Sequence, residues 1–150
     1  MGSEMCIRDS GIVVTSFGAG SDRGQAVALQ TDGKIVVAGY SHDGTKNDII
    51  LFRYNTDGSL DTTFGGGDGI VTTSLGTIDD RGVSIEIQAD GHIVVGGFTI
   101  VSPADYDTAL LRYDTNGDLD PGFGGGNGFV TTSIGPVSYT HLTLPTIYSV

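Results

Sequence analysis

Three observations predict an all-β fold built of β-propeller-like blades. The stretch Gln30–Tyr40, QTDGKIVVAGY, returns as Gln88–Phe98, QADGHIVVGGF. The whole pattern repeats with a spacing of 58 and then 59 residues, read from Gly11 to Gly69 to Gly128. Each period holds four short strand patterns separated by Asp-Gly, Asn-Gly or Gly-rich turns, and none shows the 3.6-residue apolar period of a helix. The expectation is about two four-stranded antiparallel blades plus the first strand of a third, a fragment of a larger propeller.

The repeated stretch explains itself physically. Asp32-Gly33 and Asp90-Gly91 supply the positive φ of a tight turn, and β-branched Ile35, Val36 and Val37 follow it, so the segment reads as a hairpin. Side chains of a strand alternate between faces; Ile35 and Val37 lie on one side, Val36 and Tyr40 on the other, and both sides are expected to be covered. Gly39 and Gly97 are expected to admit a neighbouring sheet. The first unit offers strands at Gly11–Phe17, Gln25–Gln30, Lys34–Tyr40 and Asp48–Asn55.

The remaining elements recur in step. GIVVTS (11–16) returns as GIVTTS (69–74) and GFVTTS (128–133), Asp22-Arg23-Gly24 returns as Asp80-Arg81-Gly82, and residues 51–69 return as 110–128. The extra residue of the second period falls between Phe98 and Asp107, beside Pro103, where a surface loop is expected to absorb it. The repeat units are thus 11–68 and 69–127, with 128–135 beginning a third. Residues 1–10 and 136–150 continue neither repeat nor strand pattern and are expected to be non-native or disordered tails. Two blades in contact cover only their shared faces, so side chains of the Ile35, Val37, Ile93 and Val95 type are expected to stay bare on the outer sides.

Composition sets limits. With 25 glycines among 150 residues a helical protein is disfavoured, while 38% hydrophobic residues and a mean hydropathy of +0.07 suffice for a packed fold. The net charge of −11 disfavours nucleic acid and anionic membrane as partners. No apolar run reaches the roughly 18 residues of a membrane span, and no continuous apolar segment follows a basic start. The one cysteine, Cys6, has no partner for an internal disulfide and reads as an incidental thiol.

ALQTDGKIVVAGY (28–40) followed by LFRYNTDGSLDTTFGGGDGIVTT (51–73) resembles the delta-60 repeat, a β-propeller family of unknown function in large secreted or surface proteins of bacteria. The resemblance covers Gly11–Gly135 and rests on the RY, DG, LD and FGGG elements in that order. Departures are small: Asp57-Gly58 becomes Asn116-Gly117, Thr62-Thr63 becomes Pro121-Gly122, and Lys34 becomes His92. It implies an extracellular or cell-surface location and further blades of the same full-length chain as partners. By analogy with propeller blades, Gln25–Gln30 is innermost, Lys34–Tyr40 and Asp48–Asn55 come next, and Gly69–Leu75 is outermost. MCIRDS (5–10) and VSYTHLTLP (137–145) resemble translated sequencing-adapter read-through at the edges of metagenomic fragments, implying a natural chain cut at both ends.

Candidate sites compete with simpler readings. Asp57, Asp61 and Asp68, and then Asp114, Asp118 and Asp120, offer the hard oxygen ligands calcium prefers, but their spacing fits neither an EF-hand nor a nonapeptide calcium repeat, and turn chemistry accounts for them. Arg53 and Arg112 sit in apolar strands and are expected to pair with Asp61 and Asp120. The triplets Gly65–Gly67 and Gly124–Gly126 lack the Lys-Ser/Thr or helical context of a phosphate loop and read as turns. His42, His92 and His141 show no metal spacing, and His92 reads as a solvated turn residue.

No residue is assigned a catalytic, cofactor-binding or metal role. The expectation is a non-enzymatic structural or interaction module that offers loops and blade edges to an unknown protein or glycan. The alternatives are a fragment of a propeller enzyme acting on polysaccharide, and a cation- or carbohydrate-binding module using the acidic loops. An enzyme needs acids unique to one blade. Nearly all the acids repeat or lie in loop turns; Glu86, aligned with Ala28 on the innermost strand, is the exception worth noting, and it reads as an ordinary polar strand residue.

Overall fold

Residues 5–6, 11–76, 78–133 and 135 are described by the computed structural model of the chain. Among them the strands are β1 (Met5–Cys6), β2 (Val14–Thr15), β3 (Asp22–Leu29), β4 (Ile35–His42), β5 (Asn47–Tyr54), β6 (Ile70–Thr73), β7 (Asp79–Ile87), β8 (Ile93–Ser102), β9 (Asp105–Tyr113) and β10 (Phe129–Thr132). Strands β3-β4-β5-β6 form one four-stranded antiparallel sheet and β7-β8-β9-β10 the other, each a simple meander. These are two blades of the β-propeller type. A single 3-10 turn at Gly124–Gly126 is the only helical piece among the described residues.

The order within each blade matches the expected one, and the differences lie at the edges. β3 begins at Asp22 rather than Gln25, because a bulge between Gly24 and Ala26 lets Asp22-Arg23-Gly24 pair with Gly39–Ser41; β7 repeats the bulge between Gly82 and Ser84. The extra residue of the second unit is absorbed inside a lengthened β8/β9 hairpin, where the register shifts between Ile100 and Ser102, and not in a loop. The strand that opens the third repeat in sequence, β10, is in space the fourth strand of the second blade: Phe129 pairs with Leu111 and Thr132 with Thr108. Among the described residues its counterpart at the other end, β2, joins neither blade and pairs with β1, Met5 opposite Thr15 and Cys6 opposite Val14. The remaining readings of the two ends fall outside the described residues.

The blades pack face on face, with β7 of the second lying across β3, β4 and β5 of the first. The front face of blade 1 contributes Val36, Ala38, Ile49, Leu51 and Phe64, and the back face of blade 2 contributes Ile93, Val95, Ala109, Leu111 and Tyr113, all fully buried in one core. The two faces are not equivalent. Val36 corresponds to Val94 in the other unit, and Ile93 to Ile35, so opposite faces of the repeat meet. Of the four residues expected bare, Ile93 and Val95 are therefore buried, while Ile35 and Val37 on the back of blade 1 are half-buried. A smaller cluster of Ile50, Phe52 and Ile70 lies on that back face, with Phe17, Val37, Tyr54 and Leu60 against it.

Gly39 serves a different neighbour from the one expected. A Cβ there would meet the Arg23 carbonyl oxygen of its own sheet at 1.8 Å, and one on Gly97 would meet the Arg81 carbonyl oxygen at 2.0 Å, because the bulge turns that carbonyl across the β3/β4 pair. It is Gly82 that faces the other blade, 3.1 Å from the Gly39 carbonyl oxygen when given a Cβ. Gly39→Ala is expected to lower stability by about 2 kcal/mol through backbone displacement. Chemical denaturation would check this; an unchanged midpoint would mean the bulge relaxes freely.

Candidate functional site

The polar side chains that drew attention in the sequence are brought together in two copies of one cluster. In blade 1, Arg53 Nε donates to Asp61 Oδ2 (2.7 Å), its Nη1 donates to the Thr115 carbonyl of blade 2 (2.6 Å), and its guanidinium lies 4.3 Å from the centre of the Phe64 ring. Lys34 Nζ stands 3.4 Å from Asp61. Burial opposes the charge on Asp61, but the Thr63 hydroxyl and amide and the Arg53 guanidinium outweigh it and hold the carboxyl well below the usual range. In blade 2, Arg112 donates to Asp120 Oδ2 (2.7 Å) and lies 5.0 Å from the Phe123 ring centre.

The expected Arg–Asp pairing is thus present in both units, but in different surroundings. The Arg53 side chain is 7% exposed and that of Arg112 27%, because only the first has another blade on top of it. His92 is more engaged than a solvated turn residue would be: Nδ1 lies 3.0 Å from Asp90 and Nε2 3.4 Å from Asp120. It occupies the slot of Lys34, next to the carboxylate equivalent to Asp61.

The acidic loops are held by Asx turns. Asp57 accepts from the Ser59 amide, Asp68 from Ile70, Asp114 from Asn116 and Asp118, and Asp120 from Gly122. Asp43, which accepts from the Thr45 hydroxyl and the Lys46 and Thr45 amides, has its pKa lowered to about 2. Among the described residues no group of three His, Cys, Asp or Glu converges as a metal site would require. The first glycine triplet approaches the next blade, Gly65 N donating to the Asn116 carbonyl (3.0 Å). Glu86 is exposed on β7 opposite Val94, His42 accepts from the Gly44 amide (3.1 Å), and His141 lies outside the described residues.

One role was missed in the sequence. Asp80, fully buried, accepts from the Leu75 amide (2.7 Å) and the Thr99 hydroxyl, so it ties the outer strand of blade 1 to the inner strands of blade 2. Asp22 repeats this with the Phe17 amide (2.6 Å) and the Ser41 hydroxyl. The signal was the recurrence of Asp-Arg-Gly in an otherwise apolar strand pattern.

Two concave regions accompany these clusters. A cavity of about 450 Å³ lies on the back of blade 1 between residues 11–15 and the apolar side chains Ile35, Val37, Phe52 and Tyr54. A polar one of about 320 Å³ lies between the turns of the two blades, lined by Gln30, Asp32, Arg53, Gln88 and Asn116.

Two segments, residues 30–64 and 88–123, match the model of a family described as a domain of unknown function (DUF5122) beta-propeller. They are equivalent parts of the two blades, each running from the turn before the second strand to the phenylalanine beside the Arg–Asp pair. The match supports a β-propeller repeat family of unknown function. No curated protein and no solved structure matches the chain.

Proposed function

We propose that this pair of propeller blades is a non-enzymatic structural and interaction module of a larger secreted or surface repeat protein of the delta-60 kind. One observation carries the reading: the Arg–Asp cluster and the Asx-turn loops recur in both blades, and their polar groups are occupied in holding turns and joining blades. Chemistry on a substrate needs groups left over for it, placed once. The polar cavity between the blade turns, with the amides of Gln30, Gln88 and Asn116 and the Asp32 carboxylate, is where the hydroxyls of a glycan partner would be met.

Release of reducing ends from a panel of plant and microbial polysaccharides is expected not to exceed the blank. Turnover that disappears in Glu86→Gln would replace this reading with the polysaccharide-acting enzyme, since Glu86 is an exposed acid on the inner strand where the other blade has Ala28.

A further inference from the structure

The polar cavity of about 320 Å³ between the blade turns is built by both blades at once. Gln30 and Asp32 come from the β3/β4 turn, Gln88 from the β7/β8 turn, and Asn116 from the loop after β9. Three of these four side chains are carboxamides, and none of the three makes a side-chain hydrogen bond; Gln30 Oε1 is closed off from solvent as well. That sets them apart from Asn47 and Asn55, whose amides donate to Asp79 and Ser59. A buried amide oxygen without a partner is costly, and three amides without partners at one cavity are groups left over for a ligand. Nothing holds the Gln30 carboxamide where it is, so turning it into the cavity breaks no bond.

The cations beside the cavity are, by contrast, taken. The Arg53 guanidinium bonds Asp61, the Thr115 carbonyl and the Thr63 hydroxyl, and Lys34 Nζ stands between Asp61 (3.4 Å) and Asp32 (3.8 Å). Neither is left to receive an anion, and the Asp32 carboxylate repels one. Asp32 Oδ1 accepts from the Lys34 amide (3.0 Å), while Oδ2 has only the Lys34 ammonium near it and can still accept. An amide offers both a donor and an acceptor, and so does a hydroxyl. Amides with one carboxylate acceptor therefore suit an uncharged molecule rich in hydroxyls, and Ile87 and Ala89 supply an apolar stretch of wall for its C–H face. The volume is at the low end of the roughly 300–1,000 Å³ of small-molecule sites, so it takes one ring and not a chain.

We infer that this cavity binds a single neutral sugar unit, the end or a side branch of a glycan. Gln30 and Gln88, reaching in from the two blades, bond hydroxyls of the ring; Asn116 and Asp32 Oδ2 take others; and the apolar face of the sugar rests on Ile87 and Ala89. Among the described residues Asp32 is the one carboxylate lining the cavity. Glycoside hydrolysis works with a pair of acids, so the site holds a sugar and does not cleave it. Because its walls come from two blades, a bound sugar also fastens one blade to the other.

This inference rests on the module reading and names the class of its glycan partner; its test reads binding, and the module's own test reads turnover, so either can fail alone. Glucose, galactose and mannose are titrated separately into the isotope-labelled whole chain, with the side-chain amide signals of Gln30, Gln88 and Asn116 as the readout. At least one of the three sugars is expected to move those signals saturably, with a dissociation constant on the order of 1 mM, as suits a small ligand held by few contacts. The uronate of that sugar is expected to bind about tenfold more weakly, because its carboxylate meets Asp32. Gln30→Leu removes an amide that bonds nothing in the fold, and Gln88→Ala trims an exposed side chain, so both chains, checked by circular dichroism, keep the fold. Each is expected to bind about tenfold more weakly, read on the amides that remain. No saturable shift with any of the three sugars, binding undiminished in either variant, or a uronate bound as tightly as the neutral sugar would each overturn the inference.

Discussion

Phe64→Ala is expected to lower stability by about 4 kcal/mol, and Phe123→Ala, the same change one repeat later, by about 1 kcal/mol. Phe64 is fully buried between the blades, its ring so close to Gly117 that a Cβ there would stand 2.8 Å from Cε2. Deleting it opens a hole in the shared core, which the rigid turn of the neighbouring blade cannot fill. Phe123 occupies the matching corner of blade 2 with no blade beyond it and is half-buried. Denaturant titration of both variants checks the difference. Equal losses would mean that the blades are stabilised separately and that the core between them counts for little.

Arg53→Met is expected to cost about 3 kcal/mol, because it leaves the Asp61 carboxylate buried without its guanidinium and the Thr115 carbonyl without its donor. Arg112→Met is expected to cost less, about 1 kcal/mol, its pair being only partly buried and lacking a partner blade. Lys34, 3.4 Å from Asp61, limits the first loss. The two variants also differ in their response to acid. A carboxyl held below its ordinary pKa contributes stability that is present above about pH 4 and lost as pH falls through its folded value. Removing Arg53 weakens that hold on Asp61, so the variant's deficit is expected to narrow as the pH is lowered from 7 towards 3. A deficit independent of pH would show that packing on Phe64, not charge, is what Arg53 supplies.

The sequence by itself determined the local and periodic features. The Asp-Gly turns, the apolar strands, the order of strands in a blade and the pairing of Arg53 with Asp61 follow from residues close in the chain, and their recurrence raised each above chance. Glycine misled where its neighbour was distant: Gly39 is required by a carbonyl turned through a bulge, which no pattern of types announces. The place where one blade ends and the next begins came only from the analogy with propeller blades, which puts Gly69–Leu75 outermost in the first, as β6 is. A periodic chain has no preferred starting point, so GFVTTS could open a third unit or close the second; its register with Leu111 and Thr108 assigned it to the second. Which apolar face is buried was decided in the same way. Val36 and Val94, or Ile35 and Ile93, are near-identical to any local reading, and only the stacking of the second blade on the first makes one member of each pair core and leaves the other half-buried.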